Sequence, residues 1–151
     1  MTIYRHRQTG TVILWSVGAS AVVMAVLAAV FATVQPAVGA VLGLSLLVLV
    51  ACLVLLGSLT VEVTTTHVRL WFGLGWIRKS LDAAEIVETE MVQNPWYYGW
   101  GIQWTPRGWL FNVAGSDAVE IRLRNGRRYR IGTDEPHKLL LAIESVTANP
   151  R

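Results

Sequence analysis

Between Arg7 and Glu62 no side chain carries a charge, and this long apolar run is broken at its middle by Gln35-Pro36. An α-helix rises about 1.5 Å per residue and the hydrocarbon core of a bilayer is about 30 Å thick, so each half of the run is long enough to cross. The pattern predicts a transmembrane helical hairpin over residues 11–57, with spans at 11–34 and 37–57. An N-terminal tail, residues 1–10, precedes it, and a domain over residues 58–151 follows. A cleaved signal peptide is the competing reading of the first span, but signal cores run only about 7 to 15 apolar residues. A second full-length span also follows at once.

The two compositional halves differ sharply. All ten acidic residues lie from Glu62 onward, and the net charge of +3 divides into +2 from Arg5 and Arg7 and +1 from the remainder. A nearly balanced domain lacks the basic face expected of a nucleic-acid binder. Cys52 is the single cysteine, which rules out an intrachain disulfide and a multi-cysteine zinc site. Arg5 and Arg7 flank one span, Arg69, Arg78 and Lys79 follow the other, and the Gln35-Pro36 connection is uncharged. That asymmetry predicts an inner-membrane protein with both termini in the cytoplasm.

A connection this short forces the two spans to run antiparallel from the turn. Counting outward places Gly39 near Ala32 and Gly43 near Ala28, a small-xxx-small arrangement that lets helix backbones approach closely in lipid. The same glycines could instead pair two copies of the chain. Neither span holds an ionisable group, so nothing in them can carry a proton or ion across.

From Leu59 the hydrophobic period changes to two. Leu59, Val61 and Val63, then Val68, Leu70 and Phe72, predict a β-hairpin around Thr65-Thr66, with further strands from Trp76 to Leu81 and Ile86 to Val92. A second hairpin turns at Pro106 and pairs Trp104 with Trp109 and Ile102 with Phe111. A third turns around Asn125-Gly126. Parity favours a three-residue loop with Gly126 as a bulge, pairing Ile121 with Tyr129 and Val119 with Ile131. Thr133-Asp134-Glu135-Pro136 then starts a helix, residues 134–147, with Leu139, Leu140, Ile143 and Val146 on one stripe.

Seven or eight antiparallel strands and a closing helix, ending in Gly126-Arg127-Arg128-Tyr129-Arg130-Ile131-Gly132-Thr133-Asp134-Glu135-Pro136, resemble the bacterial pleckstrin-homology-like (PH-like) membrane proteins. These are small chains with a two-helix hairpin and a PH-like domain. The resemblance implies a mainly β barrel or sandwich beside the membrane, with no substrate or cofactor attached to it.

Two surfaces stand out. The loop carrying Trp96, Tyr97, Tyr98 and Trp100 concentrates rings that suit either a membrane interface or a protein contact, or fill the core. A row of Arg122, Arg124, Arg128 and Arg130 on one strand face presents planar forks suited to lipid phosphates, or is a solvated face part-neutralised by Glu120. His67, His137 and Asp117 form no catalytic or metal-binding motif. The sequence thus predicts a non-enzymatic binding or scaffolding module that contacts the bilayer and a protein partner, without cofactor or metal. An anionic-headgroup sensor and a cryptic membrane hydrolase are the alternatives.

Overall fold

The computed structural model describes residues 1–148 of the chain. Its element order is β1 (Thr2–Thr9), α1 (Thr11–Val34), α2 (Pro36–Leu56), β2 (Ser58–Thr64), β3 (His67–Phe72), β4 (Ile77–Asp82), β5 (Ile86–Gln93), β6 (Gly101–Thr105), β7 (Gly108–Asn112), β8 (Asp117–Leu123), β9 (Arg128–Gly132) and α3 (Pro136–Thr147).

Helices α1 and α2 are long and apolar enough to span a membrane, and of their residues only Gly39 is fully buried inside the protein. Pro36 occupies the first turn of α2, where its missing N–H costs no hydrogen bond. The two helices pack along their length, and the backbones come closest at Gly39. A Cβ on Gly39 would stand 2.6 Å from Ala32 N, whereas one on Gly43 would meet nothing within 4 Å. The expected contact of Gly43 with Ala28 is therefore corrected.

The first ten residues are also corrected, from a tail to a strand. β1 pairs antiparallel with β2, from Thr2↔Thr64 to Thr9↔Ser58, and Gly10 N donates to Gly57 O at 2.9 Å. Its inward positions, Tyr4, His6 and Gln8, face Val63, Val61 and Leu59 across the pair. Polar and amphipathic residues there hide the apolar alternation that marks a strand. The helical hairpin is consequently an insertion between two paired strands, and the β domain comprises β1 together with everything after Ser58.

Two sheets face each other, β1-β2-β3-β4 and β5-β8-β9-β7-β6. Leu59, Val61, Leu70 and Phe72 from the first meet Val119, Ile121, Tyr129 and Ile131 from the second, and Leu139, Ile143 and Val146 of α3 seal one side. Among the described residues nine strands form rather than seven or eight, and β7 runs parallel to β9 instead of antiparallel. The last hairpin keeps the bulged register, with Ile121↔Tyr129, Val119↔Ile131 and Gly126 at φ +82°.

Candidate cleft and helix-side rim

Both sheets present a defined end to the helices. In the first, β1 and β2 run directly into α1 and α2, and a Cβ on Gly73 would collide with the carbonyls of Val54 and Leu55. In the second, Gln8 Nε2 donates to Ala114 O at 3.2 Å, and Gly10 abuts Val113 O just beyond β7. Asn112 pairs with Gly101, so Trp100 also lies at this helix-bearing end.

Strands β5 and β6 are opposite edges of their sheet, so the segment between them must cross β8, β9 and β7, roughly 19 Å of sheet width. That segment is the aromatic loop. Asn94 is buried at its start and accepts from Arg130 Nη1 at 3.1 Å. Trp96 is 91% exposed, Tyr97 and Trp100 are exposed and Tyr98 is half-buried. None of the four rings belongs to the core cluster. Leu74 and Trp76 in the β3–β4 turn, and Trp15 one turn into α1, are exposed as well.

The arginine row does not form a free face. Arg130 is sealed, with Nε on Glu120 Oε2 at 2.6 Å, and Arg128 holds the other oxygen of Glu120 at 3.1 Å. Arg122 pairs with Glu88 at 2.6 Å. Arg124 sits in the turn and is the one member without a carboxylate partner among the described residues. The pairing register placed these side chains on the outer face. Its cover by the crossing segment follows from strand order, which local sequence does not encode.

Opposite α3 the sandwich stays open. A cleft of about 1150 Å³ lies between β4 and the β6–β7 and β8–β9 turns. Ile102, Trp104 and Trp109 point inward but extend past the edge of the first sheet, so Trp104 remains 70% exposed. Trp104 and Trp109 meet edge to face at 5.3 Å, and Lys79 Nζ lies 5.3 Å over the Tyr129 ring. Arg78, Lys79, Arg107, Arg127 and Arg128 also line the cleft, and no acidic residue does. Sequence reasoning paired Trp104 with Trp109 but missed the cleft. The available signal was an inward aromatic row on a strand with no partner left to cover it.

On the far side, α3 is tied to β1. His6 Nε2 lies 2.7 Å from Asp134 Oδ1, Tyr4 Oη donates to Glu135 Oε2 at 3.3 Å, and Lys138 Nζ donates to Glu135 Oε1 at 2.5 Å. Burial, with the Glu135 charge second, pushes the Tyr4 phenol up to about 12. The Lys138 hydrogen bond holds the Glu135 carboxyl below its usual value. Among the described residues no group of His, Cys, Asp and Glu is placed to hold a metal ion. Comparison with family models, curated proteins and solved structures gives no match.

Proposed function

We propose that this chain is a two-pass inner-membrane protein, both termini cytoplasmic, whose PH-like β domain is a non-catalytic binding or scaffolding module held against the membrane surface. The observation that carries this reading is the double connection. Adjacent strands β1 and β2 each continue into a membrane-length helix, so two covalent links joined by the Gly10–Gly57 hydrogen bond fix the domain on the hairpin. A single tether would let the domain swing; two paired strands do not.

Charge and aromatic placement support the orientation. Arg5 and Arg7 on β1, with Arg69 and Arg78 on β3 and β4, share the outer face of the first sheet, Arg7 and Arg78 at the level nearer the helix ends. Cytoplasmic flanks are enriched in such cations, and Trp and Tyr gather at headgroup level. Trp15, Trp76, Trp96 and Trp100 would form that belt. A headgroup sensor built on the arginine row has less support, because Glu120 and Glu88 already occupy three of its four members.

Reporter fusions after Arg7, at Gln35 and after Arg151, together with carbonate extraction, test the reading. Cytoplasmic signals at both ends, an external signal at Gln35 and retention in the pellet are expected. An exported Arg151 fusion or a carbonate-soluble chain would overturn it.

A further inference from the structure

The cleft is bordered by two sheet edges, β4 and β6. An edge strand presents a row of unpaired N–H and C=O groups, and proteins protect such rows with charges, prolines or a covering element. Three of the four edges here are protected in that way. β1 carries Arg5 and Arg7, β4 carries Arg78 and Lys79, and β5 carries Glu88 and Glu90, with α3 packed on both β1 and β5. β6, Gly-Ile-Gln-Trp-Thr, has no charge and no proline, and no described element pairs with its outer side.

This unprotected edge opens onto a cleft lined by cations and no acidic residue. Of the cleft's cations, Arg128 is engaged by Glu120, while Lys79, Arg107 and Arg127 have no carboxylate within 4 Å among the described residues. Ile102 and Trp104 supply apolar surface on the same side. A ligand that satisfies all three features needs a backbone to pair with β6, apolar side chains at every second position, and negative charge. Extended peptides recognise sheet edges in this manner, with main-chain bonds giving affinity and alternate side chains giving specificity.

We infer that β6 and the adjoining cleft bind an extended acidic segment of a partner protein, which adds to the second sheet as a further strand. A lipid headgroup would use the cations but leave the edge unpaired. This inference rests on the reading of the domain as a binding module and gives that module its ligand class.

The test uses the full chain in nanodiscs of neutral phosphatidylcholine and a peptide of about ten residues alternating Glu and Val. Binding should slow amide exchange at Ile102 and Trp104. The Lys-Val counterpart and a Glu-Val peptide N-methylated at alternate amides should not bind. Arg107→Glu combined with Arg127→Glu, both in exposed turns, should weaken binding by about tenfold or more. The same charge change at Arg69 and Arg122, on the outer faces, should have far less effect. Ile102→Pro, at a non-hydrogen-bonded position whose N–H faces away from β7, should remove a donor of the free edge and weaken strand pairing; because it alters β6 itself, thermal melting and the N-methylated peptide provide the independent checks.

The inference is overturned if the Glu-Val peptide does not bind, if N-methylation makes no difference, or if phosphatidylserine vesicles displace the peptide. It is also overturned if β6 proves to pair two copies of this chain. Failure of the helices to insert would appear separately, as nanodiscs lacking protein.

Discussion

Arg130 Nε donates to Glu120 Oε2 at 2.6 Å, with the two side chains only 1% and 4% exposed, on the outer face of a sheet rather than in the core between sheets. Arg128 and Asn94 complete the network, while Arg130 Nη2 has no protein acceptor among the described residues. Removing one partner of a buried ion pair leaves an uncompensated charge and costs about 3–5 kcal/mol. Glu120→Gln or Arg130→Met should therefore lower the melting temperature of the full chain markedly. The double variant Glu120→Leu/Arg130→Met should recover much of the loss, because matched apolar groups need no pairing. Thermal unfolding in detergent, followed by near-ultraviolet circular dichroism, measures all three.

Local sequence carried most of the strands because their apolar residues alternate, and the bulged register around Gly126 followed from parity alone. It failed where burial is not apolar. Tyr4, His6 and Gln8 make an inward row without a hydrophobic signal, so β1 was hidden. Arg130 reads as surface because a charged side chain is ordinarily solvated. The cleft was hidden for another reason: it depends on β4 and β6 being edges, and strand order is a property of the whole chain.

Two glycines of α2 that the sequence treats alike have different surroundings. Gly39→Leu would drive a side chain into the Ala32 backbone, while Gly43→Leu has open space at its Cβ. Gly39→Leu should make the hairpin protease-sensitive in detergent; Gly43→Leu should leave the digestion pattern of the parent chain. Equal sensitivity of both variants would show that the helices stay close beyond the turn.

Two turn glycines differ in a similar way. Gly126 sits at φ +82° with nothing near its Cβ, so Gly126→Val meets backbone strain alone and should cost about 1 kcal/mol or more. Gly108, at φ +110°, would also place a Cβ 2.2 Å from Arg128 O. Gly108→Ala should therefore destabilise more than Gly126→Ala in denaturant titrations. It should also perturb the cleft, since Gly108 and Arg128 both line it.

The clasp between β1 and α3 should depend on pH at both extremes. Tyr4 is an acid whose pKa rises from 10.0 to about 12 on folding, so the folded state favours its neutral form. Its contribution is fully present below pH 10 and is lost as pH rises through about 12. Glu135 is shifted down, so its contribution is present above its ordinary value and lost as pH falls through the lowered one. Alkaline difference spectra should show a late-titrating phenol that Tyr4→Phe removes, and Glu135→Gln should flatten the acid limb of the stability curve.

The rim at the helix-bearing end can be separated from the core by substitution. Trp96 and Trp100 are exposed and lie outside the core cluster, so replacing both with Ser removes little buried apolar area. The melting temperature of the full chain should change by no more than surface substitutions ordinarily cause, within about 0.5 kcal/mol. Fragments cut at residue 58 are unsuitable for this measurement, because they lack β1 and expose the β2 edge. If the rings sit at headgroup depth, lipids brominated near the glycerol should quench their emission in nanodiscs, and the double variant should lose their share of the quenched component while Trp15 and Trp76 remain quenched and Trp104 and Trp109 continue to emit. A large fall in melting temperature would place the rings in the fold's support instead, and unquenched emission would place the rim away from the bilayer.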